Sequence, residues 1–200
     1  GISVSIESHL ARIVPVIVAM VPAPCAIALG GAHAKGVADA QSDLDLYVFS
    51  EGWPDSEARE AALTSALPTA SGLRSWSGGA TQAGTDFSLD GLPVEIWFRH
   101  IAPVRDAVNA GVAGEVRRDF VTWTPNGFYR HCTFADLASL RPLHDAEHIL
   151  SPLLETLARY PAALRAALIA EGLASLRFWR GNMHLETALL RSDGFYLQSM

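Results

Sequence analysis

The chain has 200 residues, half of them hydrophobic, with a mean hydropathy of +0.19 and a formal charge of −6. That is enough for one large domain or two small ones with a real buried core. The acidic balance and the fourteen scattered arginines, of which only Arg117 and Arg118 are adjacent, provide no basic stripe and argue against DNA or tRNA as a partner.

Ile6, Leu10, Ile13, Val14, Ile17 and Val18 recur at helical spacing, so residues 5–20 are expected to form an amphipathic helix. Pro15 kinks it or marks its start, and Pro22 and Pro24 end it. The same prolines break the apolar stretch 10–31, which holds no unbroken run of about 20 apolar residues. The early charges Glu7 and Arg12 are mixed, unlike those of a signal peptide. A soluble, cytoplasmic protein with no membrane partner is expected. Gly1 in place of an initiator Met reads as a trimmed end, and no helix stop precedes Met200.

Residues 26–29 read as a short buried strand, and 30–36 as a loop or loop-to-helix turn. Residues 44–49 read as a strand with Leu44, Leu46 and Val48 on one face and Asp43, Asp45, Tyr47 and Phe49 on the other. A helix is expected over 56–66. Residues 71–83 are polar, contain Trp76 and leave room for a short strand. Asp90-Gly91 signals a hairpin between 87–89 and 93–98. In its second arm Val94, Ile96 and Phe98 face one way, and Glu95, Trp97 and Arg99 the other. Helices are expected over 104–109, 135–140, 147–159 and 162–190, the last divided at Gly172 or Gly181. The sequence thus predicts an α/β domain over 1–105 and a helical domain over 106–200. Cys25 and Cys132 are distant, form no Cys-x-x-Cys pair and read as reduced thiols.

Asp43 and Asp45, at i and i+2 of a strand, project from one face, and Glu95 occupies the polar face of another strand. If the two strands are neighbours, the three carboxylates form a cluster suited to Mg²⁺, a hard cation that prefers oxygen ligands. A strand ending in Gly30-Gly31 can bring backbone N–H groups against a phosphate. Lys35, the single lysine, could add a charge there.

Leu29-Gly30-Gly31 followed by Asp43-Leu44-Asp45-Leu46 resembles the signature of the polymerase-β-like nucleotidyltransferase superfamily. In that signature Gly-Gly or Gly-Ser precedes a spacer of about a dozen residues and an Asp-x-Asp pair. The run 28–49 is similar to the small bacterial branch that contains the aminoglycoside, lincosamide and minimal nucleotidyltransferases. The resemblance implies a mixed sheet with flanking helices followed by a C-terminal helical domain. It also implies Asp43, Asp45 and Glu95 as ligands of two Mg²⁺ ions, and Gly30 and Gly31 as holders of the triphosphate of ATP or another NTP, with Ser42 assisting. Many members carry Gly-Ser, whose hydroxyl contacts phosphate. Here Gly31 is followed by Ala32, so that contact falls to the backbone or to His33.

The expected reaction is transfer of a nucleoside monophosphate to a hydroxyl of a small molecule, such as an antibiotic. Two alternatives are a minimal nucleotidyltransferase that adenylylates a partner protein and a silent nucleotide-binding domain. Glu171 and Glu186 are weak candidates for a general base, and Trp123, Phe128 and Tyr129 for an acceptor pocket. His144 and His148 lack a zinc motif, and the Arg177–His184 spacing resembles that of HEPN ribonucleases. A homodimer is compatible with the sequence.

Overall fold

The computed structural model describes residues 5–77, 82–119, 128–129, 131, 133–181 and 190. Helix α1 (Ile6–Met20) is capped by Ser5, whose side chain accepts from the Ser8 N–H, and Pro15 lies inside it. Strand β1 (Cys25–Leu29) is buried throughout. It leads through Gly30 into the short helix α2 (Gly31–Lys35), and β2 (Leu44–Ser50) follows. Helix α3 (Ser56–Ala66) starts where Asp55 accepts from the Ala58 N–H at 2.9 Å. Next come β3 (Ala70–Ser77), β4 (Gln82–Leu89) and β5 (Leu92–His100). Asp90 and Gly91 join β4 to β5 with φ of 54° and 87°, the two positive values of a type I′ two-residue hairpin turn.

Six strands form one sheet in the order β3-β4-β5-β2-β1-β8, with β8 (Arg141–His144) at an edge. Only β2 and β5 among these neighbours are parallel; the remaining pairs are antiparallel. One face is the core. Leu44, Leu46 and Val48 of β2, Val94, Ile96 and Phe98 of β5, and Cys25, Ile27 and Leu29 of β1 pack with Ile13 and Ile17 of α1 and Leu63 of α3. The mixed α/β architecture with flanking helices agrees with the sequence-based expectation.

Three local expectations are corrected. The polar segment expected to hold a short strand forms the eight-residue β3. Its edge position lets Ser, Gly and Arg side chains face water, while its backbone is satisfied by β4. The helix expected over 147–159 is α6 (Ser151–Ala158). The Asp145 carboxylate accepts from the N–H groups of Ile149 and Ser151 at 2.8 and 2.7 Å, which folds the residues before α6 into a turn. Strand β8 was not anticipated, because a four-residue edge strand containing Pro142 shows no alternation.

The chain forms two compact units, Gly1–Asp106 with Phe134–Ala158, and Ala107–Thr133 with Arg159–Met200. Helix α4 (Ile101–Val112) starts where the sequence changes character. The return of α5 (Thr133–Ala138), β8 and α6 to the first unit carries no compositional mark. The second unit contains the ribbon β6 (Arg118–Asp119)–β7 (Phe128–Tyr129) and helix α7 (Ala162–Gly181). Among the described residues, no helix is long and apolar enough to cross a membrane. Cys25 is a buried free thiol, whereas Cys132 lies outside the described residues.

Arg59 of α3 is 1% exposed. Its guanidinium donates to Thr85 Oγ1 at 3.1 Å, the Pro54 carbonyl at 2.8 Å and the Gly84 carbonyl at 3.2 Å, and it lies 5.2 Å from the Phe98 ring centroid. Its direct partners are neutral oxygens, so only a planar, forked donor satisfies them together. Arg59→Ala is expected to lower unfolding free energy by about 3 kcal/mol or more in urea titrations, with Arg59→Lys recovering only a minor part.

Candidate active site

The sheet face opposite the core carries the polar residues. In the parallel β2–β5 pair Asp45 stands opposite Glu95, Tyr47 opposite Trp97 and Phe49 opposite Arg99. In the β4–β5 pair Asp86 stands opposite Glu95 and Gly84 opposite Trp97, and in the β3–β4 pair Arg74 stands opposite Asp86. Cross-strand partners share a face, so these side chains form one surface.

Asp43, at the entrance to β2, joins Asp45 and Glu95. One carboxylate oxygen from each lies within 4.8 Å of the others, and all three residues are half-buried. Burial pushes the Asp45 carboxyl up to about 6, with the charges of Asp43 and then Glu95 adding to the effect. Glu95 is also raised, by burial first and then by the charges of Asp43 and Asp86, against a hydrogen bond from the Trp97 side chain. Trp97 is itself held between Tyr47, stacked at 6.3 Å, and Trp76, edge-on at 5.0 Å.

Gly30 and Gly31 lie against this cluster. The Gly30 N–H donates to the Asp45 carbonyl at 2.9 Å. Gly31 has φ +59°, and a Cβ built there would come within 1.8 Å of Asp45 Oδ2. A Cβ at Gly30 would come within 2.3 Å of the Tyr47 ring. These glycines therefore let the α2 turn close onto β2, and a serine at position 31 would be strained at its positive φ and would have to displace the Asp45 carboxylate. Gly30 caps α2 without a side-chain hydrogen bond.

The other sequence candidates are placed as follows. Ser42 Oγ accepts from the Asp39 N–H at 2.9 Å and donates to the Asp39 carboxylate at 3.0 Å, so it builds the turn before Asp43. Lys35 is exposed at the C-terminal end of α2, away from the Gly31 end. His33 lies within α2, with Nε2 buried and without a hydrogen-bond partner among the described residues. Glu171 accepts from Arg118 at 2.8 Å within the second unit. Glu186, His184 and Trp123 lie outside the described residues, as do the side chains of Phe128 and Tyr129. Sequence reading missed Asp86. Alternation traced back from Leu89 through Phe87, Thr85 and Ala83 would have assigned Asp86 to the Glu95 face.

The donor set suits a hard divalent cation: three carboxylates converge, and none of the three forms an ion pair with Lys, Arg or His among the described residues. Mutual repulsion and burial, which raise Asp45, would be relieved by such an ion. In comparisons with known proteins, no family model and no curated protein matches this chain.

Two consequences can be measured. Because the folded-state pKa of Asp45 is raised, the folded chain binds more protons than the unfolded chain between about pH 4 and 6. Metal-free stability therefore falls as pH rises through this window, and the full penalty applies above it. Asp45→Asn should raise Tm by a few degrees at pH 7.5 in EDTA, about 1–2 kcal/mol after allowance for solvent screening, and the gain should vanish near pH 3.5. Gly31→Ala should cost roughly 1–3 kcal/mol and abolish any Mg²⁺-induced rise in Tm, as read by thermal unfolding with and without MgCl₂.

Proposed function

We propose that this chain is a Mg²⁺-dependent nucleotidyltransferase that moves a nucleoside monophosphate, AMP in the first instance, from an NTP to a hydroxyl of a small molecule. The observation that carries the reading is the convergence of Asp43, Asp45 and Glu95 beside a glycine turn too tight to admit a Cβ.

In this reading Asp43, Asp45 and Glu95 hold two Mg²⁺ ions by their carboxylate oxygens. The bound ions would neutralise charge on the triphosphate and polarise the acceptor oxygen. Gly30 and Gly31 bring the backbone at the start of α2 close to β2, where its N–H groups can meet phosphate oxygens without a side chain intervening. The acceptor oxygen attacks the α-phosphorus, the bond from that phosphorus to the bridging oxygen breaks, and pyrophosphate leaves with the electron pair. The acceptor proton passes to solvent. Ser42 supports this chemistry by fixing the turn that presents Asp43, through its bonds to Asp39. Lys35 and the second-unit carboxylates have no role assigned in this step.

The test is pyrophosphate release from Mg·ATP, followed with a coupled assay and with radiolabelled ATP to trace the AMP. Asp43→Asn, Asp45→Asn and Glu95→Gln should each reduce turnover by about 100-fold or more while circular dichroism stays unchanged. Retention of turnover by Asp45→Asn would sink the proposal.

A further inference from the structure

The strand order fixes a direction across the site. The glycine turn follows β1, on one side of β2; Glu95 is on β5, on the other side; and Asp86 and Arg74 lie beyond it on β4 and β3. In-line displacement puts the attacking and leaving oxygens on opposite sides of the reacting phosphorus. With the leaving pyrophosphate held at Gly30-Gly31, the side of the face away from it is the one over β5 and β4.

Asp86 is the carboxylate on that part of the face among the described residues. It faces the same way as Glu95 and stands directly opposite it. Its side chain is 28% exposed, and its ion-pair partner among the described residues is Arg74 at 3.6 Å. Arg74 is 80% exposed, so the pairing is a weak surface contact that leaves most of the carboxylate's accepting capacity free. Beside it, Trp76 lies flat enough over Gly84 that a Cβ there would fall 2.3 Å from the indole, and Trp97 abuts the Trp76 edge. The result is an apolar wall next to an under-used carboxylate. Such a wall can seat the carbon skeleton of a small molecule while the carboxylate takes its polar group.

We propose that Asp86 is an acceptor-binding carboxylate: it accepts a hydrogen bond from a hydroxyl or ammonium group next to the attacking oxygen and so holds that oxygen in line. This rests on the nucleotidyl-transfer reading above. Asp86 breaks no bond; it raises the occupancy and alignment of the acceptor, so its loss should appear in the acceptor KM.

The full-length chain is assayed with Mg·ATP, using water as the baseline acceptor and 2-aminoethanol as the probe that carries both groups. For the wild type, AMP transfer to 2-aminoethanol is expected above the water rate. Asp86→Asn should raise KM for 2-aminoethanol by tenfold or more, while KM for Mg·ATP and turnover onto water stay within threefold. Arg74→Ala, which frees Asp86 without removing it, should leave the 2-aminoethanol KM unchanged or lower it. The assignment is overturned if Asp86→Asn leaves the acceptor KM within twofold, if it raises KM for Mg·ATP equally, if Arg74→Ala reproduces its effect, or if the wild type turns over ATP onto water but never onto 2-aminoethanol. A wild type that releases no pyrophosphate from Mg·ATP with either acceptor, or an Asp45→Asn variant that still does so, overturns the nucleotidyl-transfer reading itself.

Discussion

The parallel pairing of β2 with β5, in the register that sets Asp45 opposite Glu95, is the constraint on which the rest of the structure depends. Leu44, Leu46 and Val48 on one strand and Val94, Ile96 and Phe98 on the other are each at most 1% exposed. A slip of one residue would turn either set outward and expose several large apolar side chains, each worth roughly 1.5–3 kcal/mol. Burying one face thus forces Asp45 and Glu95 onto the other. The core and the carboxylate cluster are two sides of the same pair of strands. Both strands are paired on both edges, β2 by β1 and β5 and β5 by β2 and β4, so the carboxylates sit on the least deformable part of the sheet.

The cluster works against the stability that the core provides. Three half-buried carboxylates gather without a compensating arginine or lysine among the described residues, and Asp45 is pushed up to about 6. Some other acids of the chain are paired with arginine: Asp90 with Arg12, Glu7 with Arg141 and Glu171 with Arg118. The contrast lies in placement. Those pairs join surface elements, whereas the uncompensated group lies on the central strands beside the glycine turn. Crowding of this kind costs stability, and a divalent cation held by the three carboxylates would offset it.

Much of this was legible in the sequence, because the site is written in period two. Alternation through 44–49 and 93–98 assigned each residue to its face, and Asp90-Gly91 located the hairpin. What the sequence could not carry was partnership. Nothing local says that β5 docks parallel to β2 instead of pairing with β1, since that choice is made by the shared core under α1 and α3. Strand β3 was nearly invisible because a sheet edge tolerates Ser, Gly and Arg, and β8 because four residues with a proline have no pattern to read. Lys35 looked suitable by proximity in sequence, yet the α2 turn carries it to the opposite helix end from Gly31. Ser42 looked free, yet its hydroxyl is occupied by Asp39. In both cases the backbone turns where the spacing alone reads as a straight line.

The Gly-Gly variant of the motif takes on a different meaning once Gly31 is seen at φ +59° with Asp45 Oδ2 where a Cβ would be. From sequence, a missing serine hydroxyl looks like a deletion from a phosphate-binding set. In the fold it follows from a closer approach: the turn after β1 sits so near β2 that a side chain at position 31 would compete with the Asp45 carboxylate for the same space. The Gly30 N–H bond to the Asp45 carbonyl ties the two strands at this point, and the Tyr47 ring fills the space beside Gly30. A serine at position 31 would have to push the Asp45 carboxylate aside, which would disturb one of the three clustered acids. Between a side-chain contact to phosphate and an undisturbed carboxylate this backbone can accommodate only one, and the sequence has kept the carboxylate. Under the proposed reading, any anion bound at this turn would meet peptide N–H groups, whose position is set by the same glycine geometry that disfavours a side chain.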